Sequence, residues 1–228
     1  MFPSTLLEFP LYPTISAEDR DYAVNLPFEE EEEVDDDAFL VRYPPGSNYE
    51  AQYPEITKVL KTIVPELANN QKLVEALMKY GSLTEQQVKD ALEWGNANGP
   101  EIVIEPLGGL GWAVFDNEEG TKNVIRLNSD LEGIFNGTFL DPHFPIPENT
   151  SYEALAFFVA FTTVHELTHW GDYNNNGNLH ENWTFPGGQQ GDDEEGDAFD
   201  WEMVEDFGGM EPADAEDILN RFILRTKD

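Results

Sequence analysis

The sequence predicts an α+β domain, and three observations lead to it. Apolar residues recur at helical spacing between residues 54 and 94. Three short β-branched or aromatic runs follow between 101 and 128, separated by Gly and Asn turns, and an unbroken apolar helix from about Ser151 then ends in two histidines.

The N-terminal helices come first. In YPEITKVLKTIV, Ile56, Val59, Leu60 and Ile63 share one helix face, with Pro54 near the start and Pro65 after the expected end. NQKLVEALMKY repeats the pattern through Leu73, Ala76, Leu77 and Tyr80, and Gly81 supplies the stop. A third helix opens at Thr84, an N-cap with Gln87 three residues on as in a capping box. These three helices are expected to form a bundle or lid.

The runs EIVIEPL (101 to 107), GWAVFD (111 to 116) and KNVIRLN (122 to 128) read as the strands of a small, mostly antiparallel sheet. The glycines of LGGLG between the first two are turn glycines, since no GK[ST] or Rossmann spacing accompanies them. The long helix starts after Pro147, with Thr150 as cap and Glu153 three residues on, and nothing breaks it before about Gly171.

Composition narrows the function. The chain has 228 residues and no cysteine, so thiol catalysis and Cys-ligated zinc are excluded and any metal falls to His, Asp or Glu. Forty-six acidic residues against 12 basic ones give a net charge of −34, which repels nucleic acid and anionic membrane surfaces. The extreme stretch PFEEEEEVDDDAF, residues 27 to 39, cannot form a core, so residues 1–45 read as an acidic, loosely ordered arm and 46–228 as the folded domain. The start lacks the basic and apolar regions of an ordinary signal peptide, and the longest apolar run is too short to span a bilayer, so membrane insertion is not expected.

The end of the long helix, VHELTHWGDYNNNG from residue 164, carries the chemistry. At about 100° per residue His165 and His169 lie roughly 40° apart on one helix face, so two imidazoles can meet one ion, with Glu166 beside them. This HExxH pattern points to a zinc ion on the histidines with Glu166 as general base. The extended motif with Gly and His at 172 and 175 is absent, because those positions hold Asp172 and Asn175.

Catalytic zinc needs a third protein ligand. In GDDEEGDAFDWEMVEDFGG, Glu195 shares a helix face with Phe199 and Met203, which turns it inward and makes it the expected third metal ligand. Glu194, Glu202 and Asp172 are its rivals. Asp192, Asp193, Asp197 and Asp200 read as a solvated acidic face. Tyr173 and His180 are candidates for a second donor that stabilises the transition state, although His180 also fits a plain surface loop. DYNNNG resembles a calcium loop, yet the twelfth position is Trp183 where a bidentate Glu belongs, so calcium is the lesser alternative to zinc.

VHELTHWGD with the downstream EEGDAF resembles the zincin metallopeptidases of the gluzincin type. More narrowly, residues 53 to 205 resemble the metallopeptidase toxin domains of bacterial polymorphic toxin systems, with HELTH as the specific part. The resemblance implies a zincin-like fold with one zinc on His165, His169 and a downstream acidic residue, and Glu166 catalytic. It also implies a protein or peptide substrate, a cognate immunity or inhibitor protein, and delivery by a bacterium as an effector; without delivery the chain would be cytoplasmic. The rival reading is a catalytically inactive acidic binding protein that retains the metal site.

Overall fold

In the computed structural model, the described residues are 43–108, 111–115, 123–139, 146–177, 194–205 and 210–227. The predicted acidic arm falls almost entirely outside them. Tyr43, assigned to the arm from the sequence, is 2% exposed, and its hydroxyl pairs with Thr57 Oγ1 at 2.9 Å, so the packed structure already includes it.

The helical half opens with α1 (Tyr49–Gln52) and α2 (Pro54–Lys58), continues as a π-helical stretch Val59–Ile63, and passes through α3 (Val64–Glu66) and a 3₁₀ turn at Leu67–Asn69. Pro65 was expected to follow the end of this helix, and instead the chain stays helical through it. Pro65 has no N–H to give to Lys61 and its ring crowds that carbonyl. The π turn, in which Val64 N–H reaches back to Val59 C=O, absorbs the mismatch. Two carboxylate oxygens of Glu132 cap the start of α2 by accepting the Glu55 and Ile56 amides at 3.2 and 3.0 Å.

α4 (Gln71–Tyr80) is capped by the Asn70 side chain, and α5 (Glu85–Leu92) by the Thr84–Gln87 capping box read from the sequence. Between them Gly81 does stop α4, but at φ −87°, so left-handed freedom is not its purpose; Ser82 takes the positive φ of 53°. Gly81 is required by a close crossing. A Cβ there would lie 2.9 Å from Leu77 O and 3.2 Å from Thr168 O, and one on Gly171 would lie 2.6 Å from Gly81 O.

The three strands are β1 (Glu101–Glu105), β2 (Ala113–Phe115) and β3 (Val124–Asn128), in the order β1-β3-β2. The sheet is mixed rather than mostly antiparallel: β1 and β3 run parallel over five residue pairs, and only β2 runs antiparallel to β3. The three runs read from the sequence as a mostly antiparallel sheet. Instead β3 inserts between its predecessors, which puts Ile102, Ile104, Ile125 and Leu127 in one buried set.

After α6 (Asp130–Asn136) comes the long helix α7 (Tyr152–Asn176). Ser151, not Thr150, caps it by accepting from Ala154 N–H at 3.2 Å. The apolar residues of α7 circle the helix, as a helix buried on all sides requires. It packs on the π segment, on β2 and β3, and on α8 (Glu195–Val204) and α9 (Ala215–Thr226). Phe157 and Phe161 meet Phe222 of α9, and Phe161 stacks on Phe199 of α8 at 5.4 Å between centroids.

The helix does not stop at Gly171 but runs to Gly177, whose φ of 71° closes it. The DYNNNG segment is therefore a last helical turn rather than a calcium loop. Asn174 and Asn175 each donate to the carbonyl four residues back, and Asn176 donates to the Asp172 carboxylate. Among the described residues no helix is long and apolar enough to cross a membrane.

The Gly81–Gly171 crossing gives a direct test of this packing. Gly171→Ala forces its methyl against a backbone carbonyl that cannot yield as a side chain tip would, and overpacking of this kind costs about 1–3 kcal/mol. Denaturant melts should show that loss, with an unchanged m-value.

Candidate metal centre

Helix geometry alone brings His165 and His169 to one face; what sets their chemistry is α8, which crosses that face. Asp200 Oδ2 lies 2.9 Å from His165 Nδ1, and Glu195 Oε1 lies 3.1 Å from His169 Nδ1. Both carboxylates are 0% exposed. An ionised carboxylate only accepts, so each Nδ1 carries the proton and each Nε2 turns its lone pair inward. The two Nε2 atoms stand 3.2 Å apart. Two lone pairs at that distance need a cation or a shared proton between them.

The donor set fits a metal. Two imidazole nitrogens on a tetrahedral zinc at about 2.0–2.1 Å stand roughly 3.3 Å apart, close to the spacing here. The third residue that could hold an ion here is Glu194, with one oxygen 3.7 Å from His165 Nε2 and the other 3.8 Å from His169 Nε2. Ligand atoms of His165, His169 and Glu194 all fall within 4.8 Å of one another. Gly196 leaves the room: a Cβ on it would sit 2.6 Å from both Nε2 atoms.

Glu195, the ligand expected from the sequence, is buried as its pairing with Phe199 and Met203 implied. It faces His169 from the Nδ1 side, however, and that nitrogen points away from where the Nε2 atoms converge. Its Oε2 is buried with no hydrogen-bond partner. The other rivals are engaged elsewhere. Asp172 Oδ1 accepts from Ser82 Oγ at 2.7 Å, and Glu202 Oε2 accepts from Tyr80 Oη and Lys79 Nζ at 2.5 and 2.6 Å.

Asp200 overturns the reading of it as a solvated acidic residue. It lies about 140° around the helix from Glu195, away from the apolar face legible in the sequence; in fact α8 is buried on two sides and both carboxylates reach a histidine. Gly196 was missed as well. Its signal was present, since a glycine inside a helix costs about 1 kcal/mol against Ala and calls for a packing reason.

The electrostatics favour positive charge. Burial pushes His165 down, but Asp200, with Glu194 and Glu166, outweighs it and holds the imidazole well above 6.5. Burial, then Glu194 and Asp200, push Asp197 up to about 6, against the pull of His165 and His169. Glu166, 7% exposed, lies beside the pair and accepts a hydrogen bond from the Phe115 amide at 2.5 Å. Tyr173, one turn past His169, packs its ring on Phe115 at 5.9 Å. His180 lies outside the described residues.

The family described as metallopeptidase toxin 3 matches residues 49–205, well over half of the chain and the span that holds the whole site. The chain belongs to this family, a class of metal-dependent peptidase toxins. No curated protein and no solved structure matches it.

Two expectations follow. Gly196→Ala should fold yet lose metal binding, because its methyl lands between the imidazoles; equal metal content in variant and wild type, by elemental analysis, would remove Gly196 from the site. The Lys79–Tyr80–Glu202 clamp holds α8 against α4. Burial raises the Glu202 carboxyl, but Lys79 and Tyr80 pull it below its ordinary value. A depressed carboxylate contributes stability above its unfolded pKa and loses it as pH falls through the folded one. The stability difference between wild type and Glu202→Gln should thus be present at neutral pH and begin to fall as pH drops past the ordinary Glu pKa of about 4.3, and it should be small because the pair is partly solvated.

Proposed function

We propose that the chain is a zinc-dependent endopeptidase, with His165, His169 and Glu194 as ligands and Glu166 as general base. The observation that carries this reading is the pair of inward Nε2 atoms with both Nδ1 atoms held by buried carboxylates. A lone structural histidine needs no such arrangement. When bound there, zinc supplies Lewis acidity, lowering the pKa of a water toward neutrality and polarising the scissile carbonyl.

The rest is the work of the chain. His165 and His169 hold their ligating nitrogens in fixed directions, since Asp200 and Glu195 fix the tautomer and the ring orientation. Glu166 has no place among the ligands. It accepts a proton from the attacking water and delivers it to the leaving amine. Tyr173, one turn on from His169, is our assignment for the second donor to the oxyanion. Glu195 moves in this scheme from ligand to the residue that orients His169. Its buried, unpartnered Oε2 fits a carboxylate placed for charge as well as hydrogen bonding, because such a group is costly without a cation nearby.

Membership of the toxin family supports a protein substrate in a competing cell, delivery as an effector, and an immunity protein that protects the producer. The reading is tested with metal-loaded protein and an unstructured polypeptide substrate. Glu166→Gln should keep its zinc and lose turnover by about 10²–10⁴-fold, the range of general-base catalysis. Glu194→Gln should lower zinc affinity as a lost anionic ligand does. Glu195→Gln and Asp200→Asn should lower it by about 10–100-fold, through the histidines. Undiminished cleavage by Glu166→Gln would end the mechanism, and undiminished zinc affinity in Glu194→Gln would return the third ligand to Glu195.

A further inference from the structure

We infer that the main-chain amide of Phe115 is the positioning group for Glu166, so that the edge of the sheet, and not a side chain, aims the base. This deepens the peptidase reading and rests on it.

Strand alternation sets the direction of this amide. Asn128 N–H donates to Trp112 C=O at 2.8 Å, and Val114 is paired with Arg126. In an antiparallel ladder the main-chain groups of successive residues point to opposite sides. Trp112 and Val114 therefore face β3, while Ala113 and Phe115 turn their N–H and C=O groups away from it. Among the described residues β2 pairs with β3 alone. The Phe115 amide accordingly has no sheet partner, and Glu166 Oε2 takes it at 2.5 Å.

Both residues are buried, Phe115 at 8% and Glu166 at 7% exposure, so the bond is shielded from competing water. A charge-assisted bond in such surroundings is short and directional. Among the described residues, the hydrogen bond that holds the Glu166 carboxylate comes from the backbone of a strand.

Two consequences follow. Oε2 is held by the strand, so Oε1 is the oxygen that faces the reacting water. The direction of the base also depends on the position of β2 relative to α7, which Phe115 secures a second time through its ring contact with Tyr173. Misplacing a catalytic group by about 1 Å can cost on the order of 10²-fold in rate.

The test separates contact from catalysis. In ¹⁵N-labelled protein, hydrogen exchange of the Phe115 amide should be slow, and Glu166→Ala should speed it at least tenfold while the Val114 amide is unchanged. Equal Phe115 exchange in the two proteins would overturn the contact, whether or not the chain is a peptidase. For catalysis, Phe115 is replaced by phenyllactic acid, which keeps the ring and removes the N–H while weakening the Val114 carbonyl as an acceptor, and compared with Phe115→Ala, which keeps the N–H and removes the ring. The ester variant should keep zinc and KM and lose kcat by about 10–100-fold, with Phe115→Ala affected less. A kcat equal to wild type in the ester variant, or an equal loss in both variants, would overturn the positioning role. If the wild type cleaves nothing, the peptidase reading fails, and the exchange measurement still decides the contact.

Discussion

Two hydrogen bonds between buried carboxylates and the outer nitrogens of His165 and His169 determine what the rest of the molecule must do. They protonate Nδ1 on each ring, and so turn two lone pairs toward each other at 3.2 Å. Without Asp200 and Glu195 each imidazole could choose its tautomer and rotate. With them, Nδ1 of each ring is committed to its carboxylate, and the two facing inner nitrogens need a cation or a shared proton between them.

The surrounding architecture serves this contact. Helix α8 must approach α7 closely enough for carboxylates on two of its sides to reach two histidines, and Gly196 permits that approach by having no side chain. The distance is then held from outside. Lys79 and Tyr80 grip Glu202 on α8, and Arg225 of α9 donates to the Glu202 carbonyl at 2.8 Å near the end of that helix. On the far side, α7 is seated by its own glycine crossing with the Gly81–Ser82 turn, where Ser82 holds Asp172. Phe161, between Phe199 of α8 and Phe222 of α9, joins α7 to both neighbours in the core.

Much of this was legible in the sequence, for reasons that differ by element. The α5 helix carried its cap in plain view at Thr84 and Gln87, because capping is local chemistry. His165, Glu166 and His169 were legible because helical spacing alone brings them together. The strand pairing was not, because the parallel alignment of β1 with β3 is a long-range choice that no local spacing encodes. Asp200 was obscured for a related reason: an acidic residue away from the apolar face looks solvated until a second helix is known to cover it. The path of the helix through Pro65 and the extension of α7 over three asparagines were tertiary and side-chain effects, the first absorbed by a π turn and the second secured by bonds four residues back.

The central claim is that the two inner imidazole nitrogens and Glu194 converge on one cation, with Glu195 and Asp200 outside the ligand set. Anomalous diffraction at the zinc edge, from crystals of the zinc-loaded protein, tests it most directly. The account expects one strong peak within about 2.0–2.2 Å of His165 Nε2, His169 Nε2 and a Glu194 oxygen, with Glu195 and Asp200 still on the Nδ1 atoms. A peak coordinated by Glu195, or one bound away from the histidine pair, would contradict it.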